Sequence, residues 1–269
     1  MSGRHYYWMT ALLCLYTAIP SVADASSDTV ESRLEAGLGV GALITPDYRG
    51  SKTYRSYVAP VPYVIYRGKI IRSDREGVRS DLFSSDQMEF TLSLAASILL
   101  DGDKNERRIG MPKLGSTLEL GPALNINVTG DTLHDKWMLS LPVRAVFTLG
   151  RGSPEHIGWL AEPQLSYRLR RNSWNWTFRM GPSFASESYH EYYYGVGPEY
   201  ARPDRAQYRA RGGYSGFNSQ LALSRRAGNL WYAFFVRYYN LNGADFMDSS
   251  LVETDQGGSG GLAISWVLF

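Results

Sequence analysis

The sequence predicts an all-β protein: an antiparallel up-and-down transmembrane β-barrel of about twelve strands, with ten as the alternative count. Three observations carry this reading. Apolar and polar residues alternate over long segments, the segments run to about 12 or 13 residues, and the polar wall carries full charges along its length. Successive strand side chains point to opposite sides, so each such segment has one apolar and one polar wall. Strands of globular sheets usually hold about 5 or 6 residues, whereas a tilted membrane strand needs about 9–11. A soluble β-sandwich would also alternate, but its core would not accept Glu89, Glu119, Arg144, Glu162, Arg168, Arg179 and Arg237 without close pairing. A polar lumen accepts them.

Residues 1–25 read as a cleaved signal peptide, leaving 26–269 as the barrel domain. Arg4 and His5 give a basic start, Trp8 to Ile19 is almost wholly apolar, and Ala23 and Ala25 supply an Ala-x-Ala site. The apolar run is too short for a membrane-spanning helix, which needs roughly 20 residues. Cys14, the one cysteine, lies in this leader behind Leu13, not behind the small residue of a lipoprotein signal. The exported chain therefore has no thiol for a disulfide or a metal site. A formal net charge of +2 points to no nucleic-acid partner.

The first strand covers 33–45, with Leu34, Ala36, Leu38, Val40, Ala42 and Ile44 on its apolar side. Residues 46–87 hold three strands, the last two separated by the hairpin turn Asp74-Arg75-Glu76-Gly77. From Met88 to Leu100, Met88, Phe90, Leu92 and Leu94 oppose Glu89, Thr91 and Ser93. Leu118, Leu120, Leu124 and Ile126 then oppose Glu119, Asn125 and Asn127. Trp137, Leu139, Leu141, Val143 and Phe147 oppose Ser140, Arg144 and Thr148. Trp159, Leu165 and Tyr167 oppose Glu162, Ser166 and Arg168, and Trp176 and Phe178 oppose Thr177 and Arg179. Trp137, Trp159, Trp174, Trp231 and Trp266 sit at strand ends, where an interfacial girdle belongs. Gly261 to Phe269 closes the chain with an apolar strand ending in Phe, the kind of end by which outer-membrane proteins are recognised for assembly.

Short turns at Thr129-Gly130-Asp131, Arg171-Asn172-Ser173 and Ala227-Gly228-Asn229 alternate with long polar links at 101–115, 150–156, 187–213 and 242–260. Periplasmic turns and extracellular loops alternate in this way in bacterial outer-membrane barrels. The expected location is the Gram-negative outer membrane, with its lipid and lipopolysaccharide and the barrel assembly machinery as partners.

The chain resembles the MipA/OmpV family of outer-membrane proteins over nearly its whole length. The resemblance rests on Gly37-Leu38-Gly39-Val40-Gly41, Pro46-Asp47-Tyr48-Arg49-Gly50-Ser51, Pro60 to Gly68, Glu119-Leu120-Gly121-Pro122, Tyr194-Gly195-Val196, Arg211-Gly212-Gly213 and Phe269. Ser250-Leu251 departs from the family's late Ser-Pro-Leu. The resemblance implies an outer-membrane barrel. For the member that names the family, it implies a scaffold joining a murein lytic transglycosylase to a penicillin-binding protein of murein synthesis. Other members look like adhesins or porin-like proteins.

No catalytic, cofactor or metal site is expected. The Gly37-x-Gly39-x-Gly41 spacing lacks the strand-turn-helix setting of a nucleotide loop and reads as inner-wall glycines. After the leader, His134, His156 and His190 are expected in a turn and two separate loops, too scattered for a base-nucleophile pair or a metal. The unusual segment is 188–214. Tyr192, Tyr193, Tyr194, Arg202, Arg205, Tyr208 and Arg211 make it either a binding surface, since Tyr and Arg are enriched at hot spots, or a plug folded into the barrel mouth. The lumen charges suit either mutual pairing that fills the bore or a narrow, weakly selective pore. Two functions are thus open: the murein-enzyme scaffold, and a small-solute channel or surface adhesin.

Overall fold

The computed structural model describes residues 33–67, 71–74, 77–85, 87–97, 105–129, 135–149 and 154–268. The signal peptide expected at residues 1–25, His134 and Phe269 lie outside the described residues.

Among the described residues thirteen strands form one antiparallel sheet that closes on itself. They are β1 (Arg33–Pro46), β2 (Tyr54–Arg67), β3 (Ile71–Asp74), β4 (Gly77–Ser84), β5 (Met88–Ser97), β6 (Ser116–Asn127) and β7 (Asp135–Leu149). There follow β8 (Glu155–Ala161), β9 (Gln164–Arg171), β10 (Trp174–Ala185), β11 (Gly213–Ala227), β12 (Leu230–Asn240) and β13 (Gln256–Val267). Each strand pairs with the next in the chain except β8, which pairs with β7 and β10, and β13 closes the ring on β1 with Leu38 opposite Trp266.

β8 and β9 are two halves of one wall. Val143 of β7 faces Ala161 and Ser140 faces Gln164, an unbroken register across the gap between them. Pro163 makes the break because it has no N–H for the ladder. The barrel therefore has twelve walls, three of them formed between residues 54 and 84 as expected. Pro122, Pro142 and Pro182 lie near Pro163 on neighbouring strands and thin the ladder at one level of the wall. Gly181 belongs to the same belt: a Cβ there would meet the Pro163 carbonyl oxygen at 1.9 Å.

The pattern of burial is the reverse of a soluble domain's. Val58 is 76% exposed and Leu38, Ile264 and Trp266 stand outside with it, whereas Thr177 is 1% exposed and Ser183, Ser215 and Ser224 are fully buried. Water would penalise such a broad apolar exterior; hydrocarbon stabilises it, and closing the sheet into a ring pairs strand edges that hydrocarbon could not solvate. The protein is a transmembrane β-barrel. No described helix is long and apolar enough to cross a membrane.

Three expectations need correction. Trp231 is not in an outer girdle: it is 7% exposed and packs inside against Tyr63, Ala263 and Val267, with the Tyr63 and Trp231 ring centroids 5.4 Å apart. It shares strand parity with Arg237, and parity, not the aromatic type, sets the side on which it lies. His156 is on β8, not in a loop, beside Phe147 and Trp159. The long link after β12 is also shorter than expected, because β13 begins at Gln256, where glycines continue the strand.

Candidate functional site: a sealed mouth above an arginine-lined lumen

At the end of the barrel carrying the long loops, the chain builds a plug from residues far apart in sequence. Ser186 starts α1 (Glu187–Tyr194), its hydroxyl accepting from the Tyr189 N–H as an N-cap does. The same hydroxyl accepts from Trp159 N–H at 3.0 Å, so the helix hangs directly from β8. Gly158 permits this close approach. Its φ is +136°, and a Cβ there would lie 2.3 Å from Ser186 Oγ.

α1 points its last turn into a core made entirely of loop and rim residues: Tyr48, Leu114, Tyr194, Val196, Tyr239, Leu241, Phe246 and Leu251. Tyr194 stacks on Phe246, and Tyr48 meets Tyr194 edge-on at 6.1 Å. The polar groups carried into this core have partners. Tyr48 donates to the Leu251 carbonyl at 2.8 Å and Tyr194 to the Arg49 carbonyl at 3.0 Å. Ser249 donates to the Tyr194 carbonyl at 2.7 Å. Burial raises the Tyr194 and Tyr48 hydroxyl pKa values well above the usual phenol range, and pushes that of Tyr189 up to about 12.

Two buried arginines staple the loops. Arg205 donates to the carbonyls of Tyr200 (2.9 and 2.7 Å), Arg107 (2.8 Å) and Ile109 (3.0 Å). Arg108 donates to Tyr193 O at 2.8 Å and Pro112 O at 3.3 Å. Asp47, held by Arg55, accepts from Asn105 at 2.9 Å and joins the link between β1 and β2 to the long link at 101–115.

The segment singled out for its tyrosines and arginines is thus divided in its roles. Tyr192 accepts from Gly115 N–H at 2.8 Å, Tyr193 and Tyr194 face the plug core, and Tyr208 donates to Asp245 O at 3.1 Å. Arg202 pairs with Asp204 at 3.5 Å, Arg205 is fully internal, and Arg211 is exposed while its carbonyl contacts His190.

His190 has one ring nitrogen on the Arg211 carbonyl and the other on Ser215 Oγ. A His–Ser contact is the first half of a nucleophilic site. Here both residues are 0% exposed, and Phe246 covers the ring at 4.8 Å. The arrangement fixes α1 to β11 and leaves no path for a substrate. Desolvation by burial lowers the His190 pKa, against the opposing effect of the Arg211 carbonyl. Among the described residues no three His, Cys, Asp or Glu side chains converge as metal ligands.

Beneath the plug lies a cavity of about 390 Å³. Six of the seven predicted lumen charges line it: Glu119, Arg144, Glu162, Arg168, Arg179 and Arg237. Glu89 is on the same side of β5 but outside the lining. Arg144 bridges both acids, donating from Nε to Glu119 at 2.8 Å and from Nη2 to Glu162. A neutral ladder continues across the wall, with Ser140 donating to Asn125 at 2.6 Å and Asn125 to Thr91 at 3.3 Å. One further cation comes from a loop: Arg49 enters from above and donates to Ser183 Oγ at 2.9 Å.

Sequence reasoning missed Arg49, because a loop arginine shows no strand parity. It also missed Phe246, Leu251 and Leu241, although four large apolar residues at 246, 247, 251 and 252 in a polar link are a signal that the link is packed.

A family model described as MltA-interacting protein MipA matches residues 38–268. No curated protein matches the chain. Among solved structures the chain is similar to an outer-membrane channel from Pseudomonas putida F1, at 13% identity and a TM-score of 0.39, with 92% of this chain and 100% of that one covered. With most of its barrel inside the matched span, this chain belongs to the MipA family and is an outer-membrane β-barrel protein.

Proposed function

We propose that the protein is a non-catalytic scaffold that works from its periplasmic rim, bringing a murein lytic transglycosylase and a murein-synthesising penicillin-binding protein together. The supporting observation is the contrast between the two ends. The loop end is filled by its own cross-stapled core, whereas the turn end presents exposed arginines. Register puts Arg171 and Arg225 on either side of Trp174, with the Arg225 guanidinium 5.7 Å from the Trp174 ring centroid and Arg170 next along the strand. All three arginines are exposed at the turn end, Arg171 and Arg225 on the outer side of the wall and Arg170 on the lumen side, a basic rim suited to an acidic protein surface. Gentle crosslinking in cells, followed by purification of the barrel, tests this. Recovery of both enzymes, reduced in the triple variant Arg170→Glu, Arg171→Glu, Arg225→Glu, supports the scaffold; recovery of neither enzyme contradicts it.

A second reading, a narrow small-solute channel, draws support from the polar cavity below the plug. Bilayer recordings in which the wild type never conducts and a plug-deleted form also never conducts would remove it.

A further inference from the structure

We propose that the lumen cavity holds a small soluble oxyanion, a carboxylate or phosphate group, clasped by Arg49, Arg237 and the amide of Gln220. The site goes beyond both functional readings above, since it requires neither conduction nor a partner protein.

Among the described residues, Arg144 takes both cavity carboxylates, and Arg49 and Arg237 meet neutral acceptors. Arg237 is an electrostatic neighbour of Arg49, Arg144, Glu119 and Glu162, and Glu162 is a neighbour of all three arginines. Both carboxylates are engaged by Arg144. Arg237 instead directs Nε and Nη2 at one neutral oxygen, Gln220 Oε1, at 3.1 and 3.0 Å, and Arg49 meets the Ser183 hydroxyl. Among the described residues neither has a carboxylate within ion-pair distance. A buried charge with only neutral acceptors is costly, and an anion beside it removes that cost.

Arg49, Arg237 and Gln220 all line the same cavity. Arg49 and Arg237 lie deep in the barrel yet keep part of their surface accessible, and the surface they expose is that of the cavity they line. Gln220 is 6% exposed, and its orientation is fixed, because only its oxygen can accept from a guanidinium. Its Nε2 is therefore turned away from Arg237 and, although buried, has no partner. Two guanidiniums and a primary amide without an acceptor of its own form a donor set that matches the several lone pairs of an oxyanion. Glu119 and Glu162 stand near enough to disfavour a second anion, so one occupant is expected.

The test is calorimetric titration of the purified full-length barrel in detergent micelles with sodium phosphate, against sodium chloride at equal ionic strength, with acetate in parallel. Saturable heat from phosphate or from acetate supports the site and tells a phosphoryl from a carboxylate ligand. Gln220→Glu places a carboxylate on Arg237 and should keep the fold while weakening binding at least tenfold; Arg49→Gln should weaken it comparably. Wild-type titrations indistinguishable from chloride overturn the proposal. So does binding that is unchanged in both variants while their heat-modifiable gel mobility shows them folded.

Discussion

The ring of Tyr194, at the end of α1, lies flat on the ring of Phe246 from the last long loop, with centroids 3.7 Å apart and planes 4° from parallel. Both side chains are almost wholly buried. This pair joins two loops at the centre of the plug, and removing one ring should release both. Phe246→Ala is expected to cost about 3–5 kcal/mol of local stability, the usual penalty for deleting a buried aromatic. The barrel's strands do not depend on it, so the loss should appear as loop opening. Trypsin should then cut at Arg205 or Arg209 in the intact barrel, while unboiled gel mobility stays that of the folded form. Equal protease resistance in wild type and variant would show that the stack does not hold the mouth.

Arg205 makes four hydrogen bonds to backbone carbonyls and is 2% exposed. Arg205→Ala leaves those acceptors without a donor at a cost of about 3 kcal/mol. A lysine cannot span the same fork. Hydrogen exchange of residues 105–115 and 196–210 should therefore speed up together in both variants, and less in Arg205→Lys.

The plug should loosen in acid. Desolvation lowers the His190 pKa below the unperturbed value of about 6.5, helped by the nearby Arg49 charge and opposed by the Arg211 carbonyl and Asp245. The unfolded or opened segment thus takes up a proton at a pH where the closed plug does not. Closure is fully favoured above about pH 6.5 and weakens as pH falls below it, until His190 protonates in place. Protease sensitivity of residues 186–213 should rise between pH 7.5 and 5, and the rise should be smaller in His190→Gln. A pH response identical in that variant would assign it to other groups.

Arg144 holds two carboxylates inside the barrel. Arg144→Met should cost about 3–5 kcal/mol, because it removes the ion-pair partner of both acids inside the barrel. The triple variant Arg144→Met, Glu119→Gln, Glu162→Gln should recover most of that loss. Urea unfolding in lipid vesicles, followed by tryptophan fluorescence, distinguishes the two.

How much of this was legible in the sequence follows from the range of the interactions. Strand parity is local, so the outward set around Leu38, Leu120, Val143 and Phe178 and the inward set around Glu119, Arg144 and Arg179 could be read from alternation alone. Counting turns gave twelve walls, including the hairpin at Asp74 and Gly77. The β8–β9 break was readable in principle from Pro163, and the inward position of Trp231 from its parity with Arg237. The plug was only partly visible. The tyrosines of α1 marked one side of it, but Tyr48, Leu114 and Phe246 come from three other loops, and contacts such as Tyr48 to Leu251 span 203 residues. The pairing of Arg237 with Gln220 likewise depends on the β11–β12 register, which no local pattern states.

The claim on which all of this rests is that Val40, Val236 and Ile264 touch lipid while Gln220, Ser224 and Ser265 do not. The single cysteine, Cys14, precedes the first strand, so in a Cys14→Ser background single cysteines can be introduced at these six positions. Each is labelled with an environment-sensitive fluorophore in vesicles containing brominated lipid. Strong quenching at 40, 236 and 264, with little at 220, 224 and 265, is the predicted result. Equal quenching on both sets, or quenching of the inner set alone, would contradict the account.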